Sequence, residues 1–209
     1  MKRMTWLAAA AAAAFVTALA ATRTSAEDAA SPGGDKPSFV GDKVCQKCHF
    51  QEHKSWKKTT MAKAMKSLAP TTEADNKALF DKKKAANLDP AKDYSADEKC
   101  VKCHVTGWGT ETGYPKDPKV NEEAGKRAAM LGGVGCESCH GAGSLYVKNK
   151  TEALEKDKEA KFTFDGLSKL GLVKPDEKVC QQCHNSESPF KEEFKYEEAK
   201  PKVHEMGKK

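Results

Sequence analysis

Gly133-Val-Gly-Cys136-Glu-Ser-Cys139-His140-Gly141 contains the pattern that decides how this chain folds. Two cysteines three positions apart, followed directly by a histidine, form the attachment signature of a c-type haem. The thiols add to the two vinyl groups of the porphyrin, and the adjacent histidine ligates the iron. The pattern occurs four times and uses all eight cysteines: Cys45, Cys48 and His49; Cys100, Cys103 and His104; Cys136, Cys139 and His140; Cys180, Cys183 and His184.

Structural zinc sites and disulfides also use paired cysteines, so both are alternatives for the same residues. Neither of them requires a histidine after every second cysteine. Histidine accounts for 6 of the 209 residues. Four such placements by chance therefore have a probability on the order of 10⁻⁶ for this signature. The sequence predicts four covalently bound haem c groups.

The first 26 residues have the composition of a signal peptide. Lys2 and Arg3 precede an uncharged, alanine-rich segment over 6–21, which is too short and too weakly apolar for a stable membrane span. We expect cleavage after Ala26, and retention as an uncleaved anchor is the alternative. Residues 27–39 are interpreted as a flexible leader and residues 40–209 as one tetrahaem cytochrome c domain. Export to the periplasm agrees with this chemistry, because c-type haem is attached outside the bacterial cytoplasm.

The composition is polar for a chain of this length. Hydrophobic residues make up 38% and charged residues 32%, and the mean hydropathy is −0.72. Such a chain could be disordered on composition alone, but four porphyrins would supply the apolar core that it lacks. We therefore predict a mainly α fold, a single multihaem domain in which short helices and loops wrap around four closely stacked c-type haems.

The basic net charge does not indicate a nucleic-acid partner. Loss of Lys2, Arg3 and Arg23 with the leader takes the formal net charge from +6 to +3. Eight propionates and four ferric porphyrin cores would then bring it to roughly −1. The lysine-rich faces are interpreted as solvated helix surface. A lysine patch that steers the protein to an acidic redox partner is the alternative.

Apolar spacing, caps and breakers predict a series of helices with almost no strand signal. The first helix is expected to begin at Val44 and to continue to Leu68 before Pro70, so that one helix carries both the first motif and Met61. Gly107, Gly113 and Pro115 indicate an extended loop after the second motif. The other helices are expected over 72–86, 97–104, 119–131, 152–160 and 194–204.

The histidine count limits the axial ligands of the irons. Four irons have eight axial positions, and the sequence has six histidines, four of them committed by the motifs. Only His53 and His204 remain for four distal positions. At least two haems must therefore use another ligand, stay five-coordinate, or take a ligand from another molecule. A single chain of this composition cannot hold four bis-histidine haems.

Three side chains are candidates for the distal positions. His53 lies four residues after His49 and cannot cross its own haem plane, so it would ligate a neighbouring haem or be a surface residue. His204 is expected on the apolar side of the last helix, where it would ligate a haem. Met61 would pack against Met65 at helical spacing, or would donate its thioether to an iron, as methionine does in other c-type cytochromes.

Three stretches of this sequence resemble the tetrahaem cytochrome c-554 family. They are Ser55-Trp56-Lys57 with Ala62-Lys-Ala-Met65, the stretch from Leu88-Asp-Pro-Ala-Lys-Asp-Tyr94 through Cys100 to Gly109, and residues 133–141. The resemblance implies a mainly helical fold, closely stacked haems and periplasmic electron transfer. It also implies a hydroxylamine-oxidoreductase-like donor and a membrane-bound cytochrome or quinone-linked acceptor, with the membrane reached only through such partners.

The resemblance implies specific ligands as well. In that family the second haem has an open distal face, which here is the haem bound by His104. The C-terminal histidine that completes the fourth haem matches His204. The distal histidine of the third haem falls at Met61, so the resemblance implies methionine ligation opposite His140. The family's histidine after the third motif falls near Lys150.

Three functions fit these residues. An electron carrier is favoured, because several closely spaced irons pass electrons directly, and no catalytic residue is then needed. A small reductase of nitric oxide, nitrite or hydroxylamine at the open haem is an alternative, although no proton-donating histidine or acidic cluster lies near His104 in sequence. A subunit of an extracellular haem filament, with His53 donated across an interface, is the other alternative.

Overall fold

The computed structural model describes residues 36–190 and 193–205, all of which belong to one compact unit. The predicted signal peptide and most of the predicted leader lie outside the described residues. Within these ranges the chain forms short helices joined by loops and no β-strand, and an isolated bridge pairs Val105 with Gly132. The predicted mainly α fold is confirmed.

The helices in the described ranges are between 3 and 13 residues long. Each motif begins on a short helix, and α1, α4, α6 and α9 carry the first cysteine of motifs one to four. The α-helices are α1 Asp42–Cys45, α2 Phe50–Trp56, α3 Glu73–Ala85, α4 Glu98–Val101, α5 Glu122–Leu131, α6 Cys136–His140, α7 Ser144–Lys156, α8 Phe164–Ser168, α9 Glu177–Gln181 and α10 Tyr196–Ala199, and 3₁₀ helices span Met61–Leu68 and Lys200–Lys202.

Side-chain caps explain where several of these helices begin. Asp97 accepts a hydrogen bond from the backbone N–H of Lys99 at 3.0 Å before α4, and Asp176 accepts from Val179 at 3.1 Å before α9. A carboxylate in this position satisfies an N–H that has no partner within the helix. The helices that begin the second and fourth motifs therefore both have an aspartate N-cap.

The predicted continuous helix over 44–68 is wrong. The structure divides it into α1, α2 and the 3₁₀ helix Met61–Leu68. The Thr59 hydroxyl donates to the carbonyl of Trp56 at 2.7 Å and accepts from the N–H of Ala62 at 3.3 Å. A hydroxyl that bonds the backbone in this way competes with the helical hydrogen bonds. Met61 therefore does not share a helix with His49.

Two other helix predictions need correction. The helix expected over 152–160 is observed as α7, Ser144–Lys156, because the buried Tyr146 packs its first turn onto the fold. The helix expected over 194–204 is reduced to α10 and the 3₁₀ turn Lys200–Lys202, since Pro201 cannot donate an N–H to a continuing helix. The helices expected over 72–86, 97–104 and 119–131 are observed as α3, α4 and α5 with shorter bounds, and α6, α8 and α9 were not predicted.

The apolar core lies beside the second motif. Val101 and Val105 are 2% and 5% exposed and bracket His104 in sequence. They belong to a buried cluster with Leu68, Tyr94, Tyr114 and Leu131. The backbone N–H of Tyr94 donates to the carbonyl of Leu68 at 2.9 Å, which joins the 3₁₀ helix to the loop before α4. Protein side chains thus fix the second motif more firmly than the first or the fourth.

Candidate haem-binding sites

His104 has the hydrogen-bond arrangement of a metal-ligating histidine. Its Nδ1 lies 2.7 Å from the carbonyl oxygen of Ala64 and 3.3 Å from the hydroxyl of Ser67. A carbonyl only accepts, so Nδ1 carries the proton and Nε2 keeps its lone pair. Metal-bound histidines are oriented in this way by a carbonyl behind the ring. The residues of the second motif therefore fit a haem iron bound through Nε2.

His140 and His204 lie with their ring centres 6.5 Å apart and their planes at 37°. A histidine nitrogen lies about 2 Å from a bound metal, which places each ring centre about 3 Å from it. Two imidazoles on opposite sides of one metal are therefore about 6 Å apart, close to the observed separation. Burial lowers the pKa of His140, which favours the neutral imidazole that binds metals.

Two further hydrogen bonds fix the position of the C-terminal segment and the orientation of the His204 ring. The backbone N–H of Glu205 donates to the Ser55 hydroxyl at 2.8 Å, which docks this segment on α2. Nδ1 of His204 donates to the carbonyl of Glu205 at 3.1 Å, and Nε2 is left for a metal. The predicted helix does not reach His204. The structure brings its ring to His140 of the third motif, whereas the resemblance assigned it to the fourth haem.

His53 has a different environment. It is 4% exposed, its Nε2 lies 2.7 Å from Oδ2 of Asp42, and its ring centre lies 5.4 Å from that of Trp56. The interpretation of His53 as a surface residue is therefore wrong. Its role as a haem ligand stays a prediction, and ligation through Nε2 would require the contact with Asp42 to break.

Met61 lies against the segment that leads into the third motif. Its carbonyl accepts a hydrogen bond from the N–H of Val134 at 3.0 Å, and its side chain is half-buried. Trp56 strengthens the same contact by donating its indole N–H to the carbonyl of Val134 at 3.0 Å. Ligation by Met61 stays a prediction.

The remaining motif histidines are more exposed. His49 follows α1 and is exposed, and so is His184 after α9. The ring of His184 stacks on Phe194 with the ring centres 4.5 Å apart and the planes at 22°. An aromatic side chain from the C-terminal segment thus lies beside the predicted ligand of the fourth iron.

The cysteines of different motifs meet in pairs. All eight are free thiols, so the disulfide alternative is wrong for this structure. The Cys136 thiol donates a hydrogen bond to the sulfur of Cys45, which raises the pKa of Cys136 and lowers that of Cys45. Burial, followed by the nearby Cys103, raises the pKa of Cys183 to about 12. The attachment sites of the first and third motifs are therefore neighbours, and so are those of the second and fourth.

Polar side chains inside and beside the motifs connect them further. Lys102 of the second motif forms an ion pair with Glu187, which follows the fourth motif. Ser138 of the third motif donates to the hydroxyl of Thr106 at 3.0 Å, and Thr106 donates to the carbonyl of Gly133 at 2.8 Å. Sequence reasoning missed these residues. A comparison of the two residues between the cysteines of each motif could have singled out Ser138, since only the third motif has Glu and Ser there.

Within residues 36–190 and 193–205, no helix is long and apolar enough to cross a membrane. No group of three or more His, Cys, Asp or Glu side chains in those residues converges on a point where it could hold a metal ion.

Comparison with known proteins gives three matches. The family model described as cytochrome c554 and c-prime matches residues 44–141, a range that contains the first three motifs. The cytochrome c-554 of Nitrosomonas europaea (strain ATCC 19718) is 40% identical over 183 residues, with 85% of this chain and 69% of that protein covered. The structure of reduced cytochrome c554 from Nitrosomonas europaea matches with a TM-score of 0.59 at 36% identity, over 82% of this chain and 80% of that one.

Proposed function

The chain belongs to the cytochrome c554 and c-prime family, a family of c-type cytochromes that carry electrons, and we propose that it is a periplasmic carrier with four haem c groups. Bound haem c supplies an iron that takes up and releases one electron. The observation that carries the proposal is the contact between attachment sites, Cys45 with Cys136 and Cys103 with Cys183. Electron transfer falls steeply with distance, so neighbouring attachment sites favour passage of electrons through the chain.

The chain's own residues would divide the ligand roles as follows. His49, His104, His140 and His184 bind one iron each, as their motifs predict. His204 takes the distal position opposite His140, in preference to Met61, because its ring lies at the separation that two axial imidazoles require.

The second iron, held by His104, would then have an open distal face. With His204 at the third iron and His53 bound to Asp42, no histidine remains for the distal side of His104. Since the same count leaves the first and fourth irons without a distal histidine, we propose that the third haem alone is bis-histidine. The other irons are five-coordinate or use a different ligand.

The proposed partners are periplasmic redox proteins. The family relationship supports a hydroxylamine-oxidoreductase-like donor and a membrane-bound cytochrome or quinone-linked acceptor. The N-terminal sequence, with Lys2 and Arg3 before an uncharged segment and a small-residue site at Ala26, supports export and cleavage.

The test begins with holoprotein made in a host that attaches c-type haem. The denatured protein is expected to retain four haem masses, and Cys183→Ser is expected to weaken the attachment of one of them. Rapid mixing with a reduced and then with an oxidised small cytochrome is expected to show electron uptake and release by all four irons.

Two results would contradict the proposal. One is a chain without covalent haem. The other is steady turnover of nitric oxide, nitrite or hydroxylamine that exceeds electron exchange with cytochromes, which would favour the reductase.

A further inference from the structure

Glu137, between the cysteines of the third motif, is a buried carboxylate. It is 3% exposed. Its Oε1 accepts from the N–H of Gly143 at 2.7 Å and from that of Val40 at 3.0 Å. Its Oε2 accepts from the N–H of Gly41 at 2.7 Å and from that of Val40 at 3.1 Å. Three backbone donors thus converge on one side chain that lies inside a haem attachment motif.

These contacts join the first motif to the third. Val40 and Gly41 lead directly into α1, which carries Cys45, and Glu137 lies next to Cys136 on α6. The backbone of Gly41 has φ +82°, and a Cβ at this position would meet the Met130 side chain at 2.5 Å. Glycine is therefore needed for the N–H at residue 41 to reach the carboxylate.

The surroundings of Glu137 favour its ionised form through hydrogen bonding and oppose it through burial. Its two carboxylate oxygens accept hydrogen bonds from backbone N–H groups, and a carboxylate that accepts several such bonds is stabilised. Burial, the larger influence, raises the pKa of Glu137, and Asp42 acts in the same direction. An ionised Glu137 is therefore a buried negative charge whose hydrogen-bond partners are neutral backbone groups.

We propose that Glu137 is a positioning residue that fixes the first motif against the third, and that its buried negative charge lowers the reduction potentials of the haems at these two motifs. A negative charge in a region of low dielectric stabilises the ferric state, which carries one more positive charge than the ferrous state. The second motif is joined to the third by the neutral hydroxyls of Thr106 and Ser138, whereas the buried charge lies at the contact between the first and third motifs and acts most strongly there. The proposal rests on the proposed function, because it assumes that haem is bound at both motifs.

The test is Glu137→Gln in the haem-loaded protein, with each haem's reduction followed by spectroelectrochemistry. We expect two of the four potentials to rise. The expected shift is a change on the order of tenfold in the equilibrium constant for one-electron reduction, which is about 59 mV. Glu122→Gln is the matched control, since Glu122 is 83% exposed and forms an ion pair with Lys126 one helical turn away. All four haem potentials of this variant should equal those of the parent.

A second variant separates charge from position. Glu137→Asp keeps the charge and shortens the side chain, so both potentials should remain near those of the parent. Amide exchange at residues 40, 41 and 143 should become faster in Glu137→Asp and in Glu137→Gln. If Glu137→Gln fails to retain four haems, faster amide exchange in Glu137→Asp supports the positioning role, and unchanged exchange contradicts it.

Three outcomes would overturn the proposal. They are potentials in Glu137→Gln equal to those of the parent, an equal shift of all four haems, and unchanged amide exchange in Glu137→Asp. None of them bears on whether the parent protein exchanges electrons with other cytochromes. The proposed function and the role of Glu137 can therefore fail separately.

Discussion

Replacing Ser55 with alanine tests the proposed ligation of the third iron by His204 without removing any ligand. The Ser55 hydroxyl accepts the N–H of Glu205 at 2.8 Å, and this bond docks the segment that carries His204. A neutral hydrogen bond of this kind contributes about 1 kcal/mol net, which is about a fivefold change in an equilibrium constant. Ser55→Ala should therefore raise the fraction of molecules in which His204 has left the iron about fivefold.

The assay is a cyanide titration of the ferric holoprotein, followed in the visible spectrum. Cyanide binds the third iron only when His204 is displaced, so its apparent affinity scales with the displaced fraction. We expect the phase that belongs to the third iron to shift to about fivefold lower cyanide in Ser55→Ala. His204→Ala should remove the barrier altogether and convert one low-spin haem to a high-spin haem.

Ser168→Ala is the matched control, because the Ser168 hydroxyl donates only to the carbonyl of Asp165 in its own helix. Its cyanide titration should equal that of the parent. If Ser55→Ala and His204→Ala both leave the titration and the ferric spectrum unchanged, His204 does not ligate the third iron. The separation of 6.5 Å between the rings of His140 and His204 would then reflect packing alone.

The other predictions concern a predicted ligand, a competing ligand and a buried lysine. His53→Ala should lower the free energy of unfolding by about 2 kcal/mol, since it removes a buried hydrogen bond to Asp42. The spectra of all four haems should stay unchanged, and loss of a low-spin signal would instead identify His53 as a ligand. Met61→Ala should leave the visible spectrum unchanged, and loss of a thioether band at the red end would show that Met61 is a ligand. Burial lowers the pKa of Lys83 below 10.5, the value taken for the unfolded chain. The unfolded chain therefore binds more protons between these two pKa values, and the free energy of unfolding of the parent should rise with pH in that range. Denaturant titrations of Lys83→Met over the same range should lack this rise.

The motifs and the fold class could be predicted because both depend on local sequence. Two cysteines and a histidine at fixed spacing identify an attachment site wherever the chain places it. The caps at Asp97 and Asp176 act within three residues, so the helices of the second and fourth motifs could also be expected. The helix break at Thr59 is also local. It could not be predicted because the residues on both sides have helical apolar spacing, and nothing in that spacing shows that the Thr59 hydroxyl bonds the backbone.

The proposed pairing of His204 with His140 could not be predicted because it depends on tertiary contacts. His204 lies 64 positions after His140 in the sequence, and its place is set by the hydrogen bond of Glu205 to Ser55, a residue 150 positions earlier. No periodicity relates these positions. The same is true of Glu137, whose partners at residues 40 and 41 come from the other end of the fold.

The contacts converge on the third motif, and this bears on how electrons would move through the chain. The first motif reaches it through Glu137, and the second reaches it through Thr106 and Ser138. The segment leading to the fourth motif reaches it through Val173, whose N–H donates to the carbonyl of His140 at 2.8 Å. Since His204 also lies at this motif, the one iron proposed to have two histidines would be held at the motif that contacts the other three. Electrons that enter at the first, second or fourth motif would therefore reach the other haems most directly through the third.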